Sequence, residues 1–150
     1  MRLAGHGFQI DLPRGWDGRI WKDPLGEPTL HAANFPLPTA DGDFGLRALA
    51  VMPDTGAFIA LTEYEPAQAG HGLYEQHGLP IPVSYGALSH AAMQRMRPRR
   101  QGAQRFFTGA GRALCLYVVV GSDPTAGELL DRANAVLATL SIHPRAATQS

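Results

Sequence analysis

Apolar residues fill the stretch from Ala113 to Val120 without a charged residue among them. A strand with one face in water alternates apolar and polar positions, whereas a strand covered on both faces does not. The run therefore predicts a central strand of a sheet. Directly before it, Gly109-Ala-Gly111 supplies residues for the positive φ values of a tight turn. This predicts a hairpin with the strand that contains Phe106 and Phe107.

The residues after this hairpin repeat their apolar positions at helical spacing, and charged residues such as Glu128 fall on the opposite side. This pattern predicts an amphipathic helix that covers the sheet. Asp123 suits the N-cap position, and Thr125 with Glu128 forms an alternative capping box. The apolar stripe consists of Leu129, Leu130, Ala133, Val136, Leu137 and Leu140.

The N-terminal part has the pattern of short antiparallel strands. Apolar and polar residues alternate from Phe8 to Leu12, which is the period of a strand with one wet face, and Pro13-Arg-Gly-Trp16 ends that strand. Residues 19–22 can pair back as a second strand, and residues 29–35 form a third. The pattern predicts a meander.

Two more strands are predicted farther along, over residues 46–52 and 57–64. Pro53-Asp-Thr-Gly56 lies between them and has the residues that a chain reversal needs.

Residues Glu65 to Gly102 have no sustained period, because Pro and Gly recur throughout. Gly86 to Met96 could form a helix, and a long loop that wraps the sheet is the alternative. A long irregular segment in a small domain is usually functional. We therefore expect a binding surface there.

Length and charge limit the possible functions. The 150 residues predict a single domain over 1–150 with a flexible tail from about residue 144. Thirteen basic residues balance thirteen acidic ones, so no overall field attracts a polyanion, and nucleic-acid binding is not expected. The N-terminus has no apolar signal core and no run is long enough to span a membrane, which predicts a cytoplasmic protein. The single cysteine, Cys115, is expected to be a buried small apolar residue.

Two segments carry a resemblance to a known superfamily. They are Leu12-Pro-Arg-Gly-Trp16 and the terminal Val136-Leu-Ala-Thr-Leu-Ser-Ile142, in the order strand, meander, late hairpin, helix. In this order the chain resembles the PsbP-like superfamily, which includes photosystem PsbP subunits, Ran-binding Mog proteins and actinobacterial LpqN-type lipoproteins. The resemblance implies an α/β/α sandwich on an antiparallel sheet, a bacterial accessory or binding role, and no particular functional residue. The sequence shows no pattern typical of the signal peptide and lipidation cysteine of the exported members, so we do not expect this chain to share their location.

Candidate catalytic chemistry is sparse. His71, Glu75 and His77 could present two imidazoles and a carboxylate, but their spacing matches no standard metal motif, so we expect solvated loop residues and no metal or cofactor. Asp11 and Glu63, with Glu65, are the best-placed acids for general acid–base work. The wet face of a sheet is the preferred explanation for them. The remaining histidines, such as His31, are expected at the surface or half-buried.

A concentrated basic feature lies near the end of the irregular segment, at Arg95, Arg97, Arg99 and Arg100. These arginines could contact an acidic partner, a phosphate or an anionic membrane, and a solvated basic loop is the preferred explanation.

These patterns together predict an α+β domain, with an antiparallel sheet of about five to seven strands covered by the C-terminal helix. The expected function is a non-catalytic protein-binding or accessory module that binds another protein or itself. The alternative is a small hydrolase or ligand-binding enzyme that uses the loop His and Glu residues. The expected interaction residues are exposed Leu73, Tyr74 and Tyr85 and the four arginines above.

Overall fold

The computed structural model describes residues 1–89, 99–121 and 126–145. Within these ranges the chain forms an α+β fold with two α-helices and two antiparallel sheets. The helices are α1 (Leu46–Val51) and α2 (Ala126–Leu137). The strands are β1 (Arg2–Gly5), β2 (Phe8–Asp11), β3 (Asp17–Trp21), β4 (Thr29–Ala33), β5 (Ala57–Glu63), β6 (Arg100–Gly109), β7 (Arg112–Gly121) and β8 (Ser141–Ile142).

The strands do not form the single sheet that the sequence predicts. Five of them make a sheet in the order β3-β4-β5-β7-β6, and the other three make a small sheet in the order β1-β2-β8. The strand over residues 19–22 was expected to pair back on β2, but β3 pairs with β4 instead. The fold class and the covering C-terminal helix are confirmed, and the division into two sheets is a correction.

The predicted central strand and hairpin are confirmed. β7 lies between β5 and β6, and all of its residues are buried. The hairpin turn closes at the Gly109–Arg112 pair, with positive φ values at Ala110 and Gly111. Ala110 thus adopts the left-handed conformation that the sequence assigned to the glycines. Cys115 is buried in β7, as predicted, and burial raises the pKa of its thiol to about 11.

One face of the five-stranded sheet packs against α2 and the small sheet. Every residue of the predicted apolar stripe is buried, although Leu140 lies beyond the helix end. Phe8, Ile10 and Leu12 join the same core from the small sheet. The predicted caps at Asp123 and Thr125 lie outside the described residues.

The opposite face is covered by the chain between β4 and β5, which includes α1. The sequence predicted a strand over residues 46–52, and this prediction is wrong. The Asp41 carboxylate accepts hydrogen bonds from the backbone N–H groups of Arg47 (3.0 Å) and Ala48 (2.8 Å), which satisfies donors at the helix start. Ala48, Leu49 and Met52 are buried at helical spacing, so a helix buries more of this segment than a strand would.

The irregular segment follows the outer edge of β6. The backbone N–H of Thr108 in β6 donates to the Gln76 carbonyl oxygen, and the Thr108 carbonyl oxygen accepts from the N–H of Gly78. Gly102 and Ser89 likewise exchange two backbone hydrogen bonds, each donating to the carbonyl oxygen of the other. Only a short 3-10 turn at Tyr85–Ala87 occupies the start of the predicted helix. Its remaining residues, from 90 onward, lie outside the described ranges, so the described part agrees with the loop alternative.

Candidate binding groove

The three apolar and aromatic residues predicted for interaction, all within the described ranges, do not form one surface. Leu73 and Tyr85 are exposed, at 67% and 50%, but Tyr74 is buried at 6%, which corrects its prediction. The Tyr74 ring packs edge-on against Phe106 at 5.7 Å between centroids, and burial raises the pKa of its hydroxyl. The local reason is a 3-10 turn at Gly72–Tyr74, which turns Leu73 outward and Tyr74 inward.

Leu73 and Tyr85 also lie in segments that run beside opposite ends of β6. The segment that follows Leu73 bridges to Thr108, and the segment that follows Tyr85 bridges to Gly102. Six residues of extended strand separate these two points, which is about 20 Å. The two exposed side chains therefore do not make a single patch.

The basic feature is also divided. Arg95 and Arg97 lie outside the described residues. Arg99 is exposed and forms a long ion pair with Asp54 at 3.4 Å. Arg100 is buried and donates to Asp54 at 2.9 Å and to the Arg99 carbonyl. The prediction of a solvated Arg100 is wrong, because this side chain ties β6 to the turn before β5.

The histidine-rich loop does not converge on a site. His71, Glu75 and His77 are all exposed. In the parts of the chain that the structure describes, no group of three His, Cys, Asp or Glu residues is placed to hold a metal ion.

Glu63 was expected on the wet face of a sheet, and the structure corrects this. Its side chain is fully buried and accepts two hydrogen bonds from Arg112, at 3.1 Å from Nε and 2.6 Å from Nη2. Arg145 donates to the other carboxylate oxygen at 2.9 Å and also pairs with Glu27. Asp11, in contrast, is exposed as predicted and pairs with Arg2.

Arg112 has a structural role in this cluster. Its guanidinium also donates to the carbonyl oxygens of His6 and His143, each at 2.9 Å. It therefore joins the large sheet to the β1–β2 turn and to the chain after β8. Because the carboxylate of Glu63 is held by two arginines, it has no free position for proton transfer to a substrate.

His31 is a second buried polar residue that was expected nearer the surface. It is 1% exposed, and its ring packs edge-on against Trp21 (4.6 Å) and Phe58 (4.9 Å). The Nε2 atom lies 2.9 Å from the Asp43 carbonyl oxygen. A carbonyl only accepts, so Nε2 carries the proton in the neutral ring.

We expect His31 to make the protein less stable in mild acid. Burial lowers its pKa in the folded state, although the Asp43 carbonyl and the Asp41 carboxylate oppose this, while Arg19 adds to the lowering. In the unfolded chain the His31 imidazole has a pKa of ~6.5, so it takes up a proton at a higher pH than it does in the folded protein. The contribution of neutral His31 to stability is therefore complete above that pH and is lost as the pH falls below it.

Urea unfolding of the wild type and of His31→Gln at a series of pH values measures this effect. The wild type should lose stability faster than the variant below about pH 6.5, by up to ~1.4 kcal/mol per pH unit. His71→Gln, which removes an exposed histidine, is the control. Parallel pH profiles for wild type and His31→Gln would contradict the expectation.

A concave apolar surface lies between α2 and the turn that follows β2. The turn is closed by a hydrogen bond from Trp16 N to Pro13 O (3.1 Å), with Gly15 at φ +89°. A type II turn requires such a φ at its third residue, so glycine is needed there. This geometry leaves Arg14 exposed at the tip and returns Trp16 to the protein, where it is half-buried against the core.

This surface is named the α2 groove, and it has a volume of about 560 Å³. Its two walls are joined at one end, where Thr139 accepts a hydrogen bond from Asp11 N (2.9 Å). The turn wall consists of Asp11, Leu12, Pro13, Arg14 and Trp16, and the helix wall consists of Arg132, Ala135, Val136 and Thr139.

Polar groups at the α2 groove differ in whether they have partners. Asp11 pairs with Arg2 at 3.0 Å, and Arg132 pairs with Glu128 at 2.8 Å. The Arg14 guanidinium and the Trp16 indole N–H have no acceptor among the described residues. The groove thus combines apolar side chains with two side chains, Arg14 and Trp16, whose N–H donors have no acceptor within the described part of the chain.

Sequence reasoning singled out both walls of the groove without assigning it a function. Leu12-Pro-Arg-Gly-Trp16 forms the turn wall, and the segment that begins at Val136 contributes to the helix wall. The signal in the sequence that could have pointed to this groove is an Arg and a Trp on either side of a glycine in a predicted turn.

No helix of the described residues is long and apolar enough to cross a membrane. Comparisons with protein-family models, curated proteins and solved structures gave no significant match for this chain. The resemblance to the PsbP-like superfamily therefore stays a prediction.

Proposed function

We propose that the protein is a non-catalytic binding module and that it holds a segment of a partner protein in the α2 groove. The observation that carries this proposal is the half-buried Trp16 in the turn wall, beside Arg14, which has no partner among the described residues. Tryptophan and arginine are enriched at the residues that dominate protein interfaces. The unused donors would gain acceptors when a partner binds.

The shape of the groove favours a peptide segment over a small substrate. Its walls are a turn and one side of a helix, so it is a cleft at the surface. The titratable groups that line it are two arginines and Asp11, and Asp11 and Arg132 are already paired. This composition is suited to binding and provides no base–nucleophile pair.

We also propose the PsbP-like α/β/α arrangement as the finer description of the fold. A central antiparallel sheet with α2 on one face and α1 on the other supports it. The accessory or binding roles that the resemblance implies agree with the function proposed for the groove.

Peptide selection on the purified full-length protein tests the proposed function. A phage library of random dodecapeptides is selected in parallel on the wild type, on Trp16→Ala and on Leu73→Ser. We expect the wild type and Leu73→Ser to enrich the same peptides and Trp16→Ala to lose them, since truncating a central interface tryptophan typically costs about 2 kcal/mol or more, which is roughly 30-fold in affinity.

Leu73→Ser is the matched control, because Leu73 is an exposed apolar residue that does not line the groove. Circular dichroism is used to check that each variant is folded before its peptides are compared. The proposal fails if the wild type enriches no peptide, or if the peptides bind Trp16→Ala as well as the wild type. Loss of binding in Leu73→Ser alone would move the interaction to the irregular segment.

A further inference from the structure

We infer that the segment that binds in the α2 groove carries an acidic side chain next to a large apolar one. This inference rests on the proposed protein-binding function and specifies the chemistry of the partner. It follows from the charged residues that line the groove and from the presence of Trp16 beside them.

Arg14 is the charged residue lining the α2 groove that has no ionic partner among the described residues. Two of the three charged residues that line the groove are paired, Asp11 with Arg2 and Arg132 with Glu128. Arg14 lies at the tip of its turn with no carboxylate partner within the described ranges. A basic partner segment would meet an uncompensated guanidinium, whereas a carboxylate would form a charge-assisted hydrogen bond.

The turn geometry places the charged contact at Arg14 close to the apolar contact at Trp16. Arg14 and Trp16 are separated by one residue, Gly15, whose positive φ reverses the chain. The hydrogen bond from Trp16 N to Pro13 O holds the turn closed, so both side chains extend from the same short turn. A partner that covers the Trp16 ring therefore brings its next residues close to Arg14.

The apolar requirement comes from the apolar side chains of the two walls. Leu12 and Val136 are buried, whereas Trp16 is half-buried and Ala135 is exposed. A large apolar side chain covers this surface and excludes water from it. The indole N–H of Trp16 then donates to a carbonyl or carboxylate oxygen of the same segment.

A titration with a matched pair of peptides tests the inference. The probes are the dodecapeptide that the library selection enriches most on the wild-type protein and a version in which each Asp or Glu is replaced by Asn or Gln. Their affinities for the wild type and for Arg14→Gln are measured by fluorescence anisotropy at low and at high salt. Arg47→Gln, which removes an exposed arginine on α1, is the control.

We expect the neutral peptide to bind the wild type about tenfold more weakly than the acidic one, in the range of a single charge-assisted hydrogen bond. Arg14→Gln should remove this difference, and Arg47→Gln should keep it. High salt should weaken only the acidic peptide. An Arg14→Glu variant should in turn favour a peptide with Lys in place of the acid.

Equal affinity of the acidic and neutral peptides for the wild type would overturn the inference, and so would a difference that persists in Arg14→Gln. Either result leaves the groove as a binding site if the peptides still require Trp16. The absence of any enriched peptide contradicts the proposed function itself, so the two failures are distinguishable.

Discussion

Replacing Glu63 with Gln should lower the free energy of unfolding by about 3 to 5 kcal/mol, because it leaves buried positive charge without its carboxylate. Arg112 is 2% exposed and donates twice to Glu63, and Arg145 donates to the second oxygen. Glutamine keeps the size of the side chain but removes the charge. A domain of this kind has about 5 to 15 kcal/mol of stability in total, so the loss is a large fraction of it.

Urea denaturation followed by circular dichroism gives this change in free energy. Arg2→Gln is the matched control, because it breaks the Arg2–Asp11 pair, whose side chains are 65% and 49% exposed. Exposed pairs contribute about 0 to 1 kcal/mol, so the control should hardly differ from the wild type. Equal effects of the two variants would show that the buried cluster does not join the sheets as described.

Replacing Leu137 with Ala should lower the free energy of unfolding by about 2 to 5 kcal/mol, since it leaves a cavity beneath α2. Leu137 is fully buried in the core between α2 and the large sheet. Leu25→Ala is the control, because Leu25 is fully exposed in the loop between β3 and β4, and such a change should alter stability by under about 0.5 kcal/mol. An unchanged urea midpoint for Leu137→Ala would mean that α2 does not pack on the sheet.

The elements that the sequence predicted correctly are those whose pattern is long and repeated. α2 shows three helical turns of one apolar stripe, and β7 shows an uninterrupted apolar run after a turn with glycines. Both patterns depend only on which side chains are buried, and the order of apolar and polar residues in the sequence shows this directly.

The errors lie where tertiary contacts decide the local structure. α1 has only six residues, and it begins as a helix because the Asp41 carboxylate, five residues before Leu46, binds its first N–H groups. Short strands such as β8, with two residues, form only because β2 is beside them. Neither the hydrogen bonds from α1 to Asp41 nor the pairing of β8 with β2 produces a periodic pattern in the sequence.

The same limit applies to the polar residues and to the groove. Glu63 looks like a solvated acid at the end of a strand, and its burial depends on Arg112 and Arg145, which lie 49 and 82 residues away. Trp16 and Val136 line one surface only because the fold places α2 beside the turn after β2. The sequence marked both segments, and the structure is needed to show that they face each other.

The indole signals of the two tryptophans provide the most direct test of the central claim. Trp16 lines the α2 groove, and Trp21 packs against His31 on the other face of the sheet. In ¹H–¹⁵N spectra of the full-length protein, each indole N–H gives one signal, and Trp21→Phe assigns them. Titration with the enriched peptide should shift the Trp16 signal to saturation and leave the Trp21 signal in place. A shift of the Trp21 signal alone, or of neither signal, would contradict binding in the α2 groove.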